Sequence, residues 1–305
     1  MKTSILKLSF SVTILLFLGM VTLFSCKKEN SIQNNSSVSE QEAIALSEEN
    51  AEAEASFEDV TEVGLTAADE EASYSANLGG SAGIEIVADE PGPLVSRFIE
   101  LREKTGDCME ITVTPNDSTY PKTVTIDFGD GCIGRDGKFR KGAIIIHFTG
   151  PLRRPGSVVT TTFRGFYLGR AHIEGTHIIT NLSENGKHKF SVQVVNGKLT
   201  FPNGRGFSYN GLQVITQVAG MDTRRVRDDA YEIEGRSKTE YNNGTTLVLN
   251  TESPLLKKIG CPWLVQGVLK IKINARELFL DYGSGDCDNK ATIKWSGGEK
   301  EIRLP

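Results

Sequence analysis

Basic residues are missing from a long stretch near the start of this chain. Residues 29–95 contain 16 aspartates or glutamates and no lysine, arginine or histidine, and aromatic residues are almost absent there. A segment with so much charge of one sign and so little apolar area does not offset the entropy that it loses on ordering. The sequence therefore predicts that residues 26–92 form an acidic, disordered tether.

An excess of positive charge in one patch is also missing. Residues 96–305 hold 30 basic and 23 acidic residues, and the two signs are interspersed along many segments. Nucleic-acid binding domains instead collect their lysines and arginines on one face or along one helix. Nucleic acid is therefore excluded as an expected partner.

The sequence lacks the short motifs of common enzymes. It contains no Gly-x-Ser-x-Gly, no His-Glu-x-x-His and no phosphate-binding loop, so neither catalysis nor a cofactor is predicted. Glycoside hydrolysis stays open as an alternative, because its two carboxylates need only converge in space. The acids in or beside predicted strands are the first candidates: Glu174, Glu232, Glu234 and Asp281.

The first 25 residues are typical of an export signal. Lys2 and Lys7 precede an apolar run over residues 10–24, which is shorter than the roughly 20 apolar residues of a comfortable bilayer span. The run closes with Leu-Phe-Ser before Cys26, which resembles the lipobox of bacterial lipoproteins. We therefore expect residues 1–25 to be a signal peptide and Cys26 to carry acyl chains that bind a membrane.

This leader also predicts a location. We expect an exported protein that is lipid-anchored at the outer membrane, on either its periplasmic or its cell-surface face. Export places the remaining four cysteines in an oxidising compartment, where disulfides persist.

From Cys108 onward the hydrophobic pattern has a period of two. Alternating runs such as residues 190–194 and 269–273 are separated by Asn-Gly turns, for example at Asn196 and Asn243, which is the strongest short-range signal for hairpins. We predict an all-β domain over residues 93–305. It is an antiparallel meander of about 12 to 14 strands, as a curved sheet, a sandwich or a partial barrel. One short helix over residues 93–107 precedes it, with Leu94, Phe98 and Leu101 on one face.

The two ends of this domain repeat one pattern. Each has a cysteine, a strand, a turn, a second strand, an Asp-aromatic-Gly-x-Gly turn and another cysteine. We interpret this as a duplicated element. The start of the first strand of a hairpin lies opposite the end of the second, which favours the disulfides Cys108–Cys132 and Cys261–Cys287.

The aspartates of the repeated turns have two interpretations. An aspartate can cap a glycine-rich turn by accepting backbone hydrogen bonds, and we favour this one. A calcium site is the weaker alternative, because the spacing lacks the ligand-rich loop and closing glutamate of an EF-hand. The weak metal candidates are Asp127, Asp130, Asp281, Asp286 and Asp288.

Several segments carry a family resemblance, together with the lipobox and the acidic tract. They are residues 141–146 (Lys-Gly-Ala-Ile-Ile-Ile), 175–181 (Gly-Thr-His-Ile-Ile-Thr-Asn), 196–202 (Asn-Gly-Lys-Leu-Thr-Phe-Pro) and 287–292 (Cys-Asp-Asn-Lys-Ala-Thr). Over residues 108–305 the chain resembles a Bacteroidota lipoprotein family of unknown function. The resemblance implies a class and a compartment, and it brings no catalytic or binding residues.

Three functions are compatible with these features. The favoured one is a non-catalytic binding or structural module, displayed on a tether toward an envelope glycan, lipid or protein. The first alternative is a carrier that shelters a lipid or other hydrophobe in a concave apolar interior. The second is an envelope glycan hydrolase that uses paired carboxylates.

Overall fold

Fourteen antiparallel strands in one sheet make up most of the structure, a computed structural model that describes residues 39–78, 98–223 and 226–304. The helices are α1 (Glu40–Leu78) and α2 (Ile99–Thr105), and a 3-10 turn covers Val226–Asp228. The strands are β1 (Glu110–Thr114), β2 (Lys122–Asp127), β3 (Cys132–Ile133), β4 (Phe139–Phe148), β5 (Val158–Leu168), β6 (Ala171–Asn181), β7 (Lys189–Thr200), β8 (Gly206–Ala219), β9 (Ala230–Tyr241), β10 (Thr246–Lys258), β11 (Leu264–Ile273), β12 (Arg276–Ser284), β13 (Lys290–Trp295) and β14 (Gly298–Arg303).

The strand order follows the chain. Each strand from β4 to β13 pairs with its two neighbours, β2 pairs with β4, and the short β3 pairs with β4 alone. Within the described ranges β1 and β14 are the two edges, so the sheet is open. The predicted all-β antiparallel meander is confirmed. Of the forms left open by the sequence, a single open sheet is found rather than a sandwich of two sheets.

Bulges interrupt the ladder where glycines have positive φ. Gly142 has φ 76° and lies at the register shift between Lys141 and Ala143, and Gly175 has φ 118° at a similar shift in β6. A Cβ on Gly142 would lie 2.0 Å from the carbonyl oxygen of Gly165 on β5. Bulges of this kind bend a strand and increase its twist, and they help the sheet to curve.

The sheet curves around α1, a 39-residue helix. Side chains of β2, β4, β6, β8, β9, β10, β13 and β14 all contact it. The predicted tether over residues 26–92 is therefore wrong for residues 40–78, while residues 26–38 and 79–92 lie outside the described residues. Burying the apolar side chains of this segment against the sheet offsets the conformational entropy that it loses on folding, and the tether prediction did not include that contribution.

Helix α1 is buried through small and polar residues as well as large apolar ones. Its large buried apolar side chains are few: Leu46, Phe57, Val60, Val63 and Leu65. Alanines fill much of the remaining contact: Ala43, Ala51, Ala53, Ala67 and Ala68. Alanine and glutamate favour helix, so local propensity and burial agree although no continuous apolar stripe is present.

The predicted short helix is present as α2, from Ile99 to Thr105. Phe98 and Leu101 are buried as expected, and Gly106 ends the helix with φ 83°. Leu94 lies outside the described residues. In the described part of the chain, no helix combines the length and the apolar character that crossing a bilayer requires.

Candidate functional site

Both predicted disulfides are confirmed. Cys108 is bonded to Cys132, with their Cα atoms 6.2 Å apart, and Cys261 is bonded to Cys287, with 5.8 Å between the Cα atoms. Each bond links the start of one strand to the residues after its hairpin partner, since β1 pairs with β2 and β11 with β12. Cys26, the predicted lipid-attachment residue, lies outside the described residues.

The two repeated turns have the same backbone contact. Oδ1 of Asp127 accepts the N–H of Gly129 at 2.8 Å, and Oδ1 of Asp281 accepts the N–H of Gly283 at 2.9 Å. The two glycines have φ 55° and 91°, a region that costs glycine little. Both aspartates therefore cap their turns, as the favoured interpretation predicts.

The other oxygen of each capping aspartate is paired with a cation. Arg164 contacts Asp127 Oδ2 and Lys294 contacts Asp281 Oδ2, both at 2.7 Å. The hydrogen bond from Lys294 is the main cause that lowers the pKa of Asp281.

Of the remaining metal candidates, Asp286 and Asp288 line a surface cleft of 170 Å³ together with Asp281, whereas Asp130 belongs to the other repeated turn. Asp130 and Asp286 are exposed, and Asp288 accepts the N–H of Lys290 in its own turn. Among the described residues, no group of three or more histidines, cysteines, aspartates or glutamates is arranged to hold a metal ion.

The acids proposed for a hydrolase are spread over three strands. Glu232 and Glu234 lie on the exposed side of β9, and Glu174 of β6 contacts Lys198 at 3.5 Å. The fourth, Asp281 of β12, is the turn cap. Three of these acids therefore lie at the surface of the sheet, and the fourth stabilises a turn.

The densest set of charges lies between α1 and the sheet, where four acids of α1 are buried: Glu54, Asp59, Glu62 and Glu71. We call them the buried acids. Carboxylates removed from water are costly unless they are paired and hydrogen-bonded. Each buried acid has such partners in the sheet or in α2.

Asp59 is at the centre of this set. Arg140 of β4 contacts both of its carboxylate oxygens, at 2.7 and 2.9 Å, and Lys104 of α2 and Lys138 approach Oδ1 at 3.3 and 3.2 Å. Arg140 also binds Asp136 at 2.7 Å. Burial opposes ionisation of Asp59, but the three cations outweigh it and hold its pKa well below the usual value.

Glu62 lies one helical turn further along α1. It contacts Lys104 at 2.8 Å and Lys257 of β10 at 3.4 Å. Because Lys104 is shared by Asp59 and Glu62, the carboxylates raise its pKa despite burial. For Lys257, burial outweighs the attraction of Glu62 and lowers the pKa.

Further polar contacts hold α1 on either side of Asp59 and Glu62. Glu54 accepts the hydroxyls of Tyr209 and Ser237, each at 2.9 Å, although burial outweighs these bonds and raises its pKa. Glu71 contacts Lys122 of β2 at 3.2 Å. Next to it, Glu70 accepts the backbone N–H groups of residues 100 and 101 and thereby caps the first turn of α2.

Glu58 is the least satisfied acid in this region. It is half-buried and lines a narrow cavity between α1 and the sheet, together with Tyr231 and Lys257. Burial raises its pKa to about 7, and Lys257 opposes the rise only in part. The charge of Glu58 therefore changes near neutral pH.

Two clefts open at the surface beside α1. One of 200 Å³ lies above the Asp59 contacts, where Lys104 and Asp136 face Arg227 and Gly260. Another of 360 Å³ lies at the first turn of α1, where the indole N–H of Trp295 donates to Glu40 at 2.7 Å. The larger volume falls in the usual range of small-molecule sites, roughly 300–1,000 Å³.

Comparisons with protein-family models, with curated proteins and with solved structures find no match for this chain.

Sequence reasoning missed the charged interior. One signal was present: the acid-only stretch over residues 29–95 and the excess of bases over residues 96–305 are complementary. Read as two separate segments, they suggest a tether and a domain. Taken together, their opposite charges suggest that the acidic stretch binds the domain, but they do not identify which residues are in contact.

Proposed function

We propose that this chain is a membrane-anchored envelope lipoprotein whose folded part is a rigid, non-catalytic binding or structural module. Acyl chains on Cys26 would anchor it. The two disulfides, Cys108–Cys132 and Cys261–Cys287, are the observation that carries the proposal. Bonds of this kind persist in exported proteins and are rare where thiols are kept reduced, which fits the export signal over residues 1–25.

The position of α1 shortens the segment that would link the lipid anchor to the folded domain. The helix belongs to the folded unit, so only residues 27–39 separate Cys26 from it. Fourteen residue steps reach about 50 Å at most. In this proposal the link between the anchor and the folded domain is therefore much shorter than the tether over residues 26–92 that the sequence predicts.

The two alternatives have less support. A carrier needs a vacant apolar interior, and α1 fills the concave side of this sheet with Phe57, Val63 and Leu65 among its buried side chains. A hydrolase needs facing carboxylates, whereas Glu174 on β6 is separated by two strands from Glu232 and Glu234 on β9, and Asp281 caps its own turn.

Fractionation of cells fed labelled palmitate tests the anchor. The unmodified chain should be labelled and should sediment with membranes, while Cys26→Ser should lose the label and leave the membrane fraction. Ser25→Ala, which keeps a small residue before the cysteine, is the control and should behave like the unmodified chain. A Cys26→Ser protein that still incorporates palmitate would disprove the anchor.

A further inference from the structure

The cleft beside the first turn of α1 has the composition of a small-molecule site. Its volume is 360 Å³, and two buried apolar residues, Ala43 of α1 and Leu278 of β12, contribute to its lining. Polar side chains share this lining: Glu40, Arg276, Glu277 and Ser296. Ligand pockets in proteins combine apolar surface with a few placed polar groups in the same way. We call this space the Trp295 cleft, after the aromatic residue in its wall.

Three separate parts of the chain form the Trp295 cleft. The turn between β11 and β12 contributes Ala275, and the turn between β13 and β14 contributes Ser296. The third part is the first turn of α1, where the hydroxyl oxygen of Ser39 accepts the backbone N–H of Glu42 at 3.1 Å and caps the helix. Two tight hairpin turns and a capped helix end therefore hold the lining residues in place, as in most ligand sites.

The indole of Trp295 is fixed by Glu40. The carboxylate oxygen Oε1 accepts the indole N–H at 2.7 Å, which satisfies the only polar atom of this side chain. Gly297 leaves room for the contact, because a Cβ there would lie 2.9 Å from the indole nitrogen and 3.4 Å from Oε2 of Glu40. The half-buried ring is thus held in one orientation and gives the cleft an apolar aromatic wall.

Charged groups of both signs surround the cleft. Glu40 and Glu277 supply carboxylates and Arg276 supplies a guanidinium, while Lys270 lies 3.1 Å from Glu277. The two acids oppose an anionic ligand, and the two bases oppose a cationic one. A neutral ligand with several hydroxyl groups can instead donate to the carboxylates and accept from the guanidinium. The mixed lining therefore favours a neutral, hydroxylated ligand over either ion.

A pyranose sugar combines the two properties that this lining selects. Its hydroxyl groups lie around the edge of the ring, and its C–H groups form an apolar face that can pack on an indole. We propose that the Trp295 cleft binds a sugar unit of an uncharged glycan, with the ring against Trp295 and hydroxyl groups bonded to Arg276 and Glu277. This inference rests on the binding role proposed above and names its ligand class. It does not depend on acylation of Cys26.

Titration with neutral disaccharides tests the proposal. The chain from residue 26 onward, carrying Cys26→Ser, is titrated with cellobiose, maltose and N,N′-diacetylchitobiose by isothermal titration calorimetry. We expect at least one of the three sugars to bind in a saturable manner. Trp295→Ala should weaken that binding at least about tenfold, equivalent to 1.4 kcal/mol. Because Cys26 is replaced, failure of this experiment leaves the palmitate experiment unaffected, and the two proposals can fail separately.

A second variant separates binding from folding, since Trp295 also packs against the core. Ala275 is an exposed turn residue of the cleft. Ala275→Phe should fill the space and abolish sugar binding, while the melting temperature stays that of the parent chain. Ala219→Phe, which changes an exposed alanine outside the cleft, is the matched control and should bind sugar like the parent chain.

Each outcome decides for or against the sugar site. Saturable binding of a neutral disaccharide that Ala275→Phe removes supports it. Binding that persists in Ala275→Phe places the sugar elsewhere and overturns the proposal. Failure of all three disaccharides to bind also overturns it, and binding of tetramethylammonium or galacturonate in their place would assign the cleft to a cation or to an anion.

Discussion

Arg140 contacts both carboxylate oxygens of Asp59, at 2.7 and 2.9 Å, and at most 1% of either side chain is exposed to solvent. The pair joins a helix and a strand that are 81 residues apart in the chain. An acid from residues 29–95, which contain no basic residue, is therefore buried inside the domain that carries the excess of basic residues. The buried acids of α1 therefore hold this helix against the concave side of the sheet.

Removing the charge of Asp59 should destabilise the protein. In Asp59→Asn, Arg140 keeps Asp136 but loses its fully buried carboxylate, and Lys104 and Lys138 lose a shared partner. Breaking a buried ion pair typically costs about 3–5 kcal/mol. Urea denaturation followed by circular dichroism should show a loss in this range. Glu42→Gln, on the exposed side of α1, should change stability by less than about 0.5 kcal/mol. Equal stabilities of the two variants would contradict the assignment.

Stability should depend on the protonation of Glu58. Its pKa is raised from 4.5 to about 7 in the folded state. The protonated carboxyl therefore favours folding fully below pH 4.5, and this contribution is lost as the pH rises through about 7. Glu58→Gln imitates the protonated form, so it should match the unmodified protein at pH 4.5 and be more stable by about 3 kcal/mol at pH 8. Denaturation at both pH values is the measurement. A variant that is equally or less stable at pH 8 would refute the raised pKa.

Each disulfide should stabilise the domain. The two bonds close loops with sequence separations of 24 and 26 residues, for which chain entropy gives about 3–4 kcal/mol each. Replacing both cysteines of one pair by alanine should lower the unfolding free energy by that order. Because the pairs lie on different hairpins, the two losses should add. Alkylation followed by mass spectrometry of the unmodified protein should find no free thiol among these four cysteines.

Two glycines with the same backbone angle should respond differently to alanine. Gly142 and Gly137 both have φ 76°. A Cβ at residue 142 would lie 2.0 Å from the carbonyl oxygen of Gly165, whereas a Cβ at residue 137 has no neighbour within 4 Å. Gly137→Ala should therefore cost about 1 kcal/mol from φ alone, and Gly142→Ala should cost several times more by displacing β5 from β4. Similar thermal shifts for the two variants would argue against the bulge.

Features that depend on residues close together in the chain could be predicted from the sequence, whereas features that depend on distant residues could not. Period-two alternation and Asn-Gly turns predict the meander because strand faces and tight turns are set by neighbouring residues. The pairs Cys108–Cys132 and Cys261–Cys287 were predictable for the same reason, since each lies within one hairpin. Gly142 and Gly175 were not recognisable as bulges, because a bulge depends on the register of the neighbouring strand.

Residues 40–78 show what the sequence by itself did not decide. Composition determined that this stretch is acidic, rich in helix-forming residues and too poor in apolar area to fold alone. Only the tertiary structure decided that it is a buried helix, because Lys122, Arg140 and Lys257 come from strands 51 to 195 residues away from the acids that they contact. The sequence determined the strands, the turns and the local disulfides, which depend on near neighbours. The charged interior needed the fold, since the free energy of a buried carboxylate depends on which cations the rest of the chain brings to it.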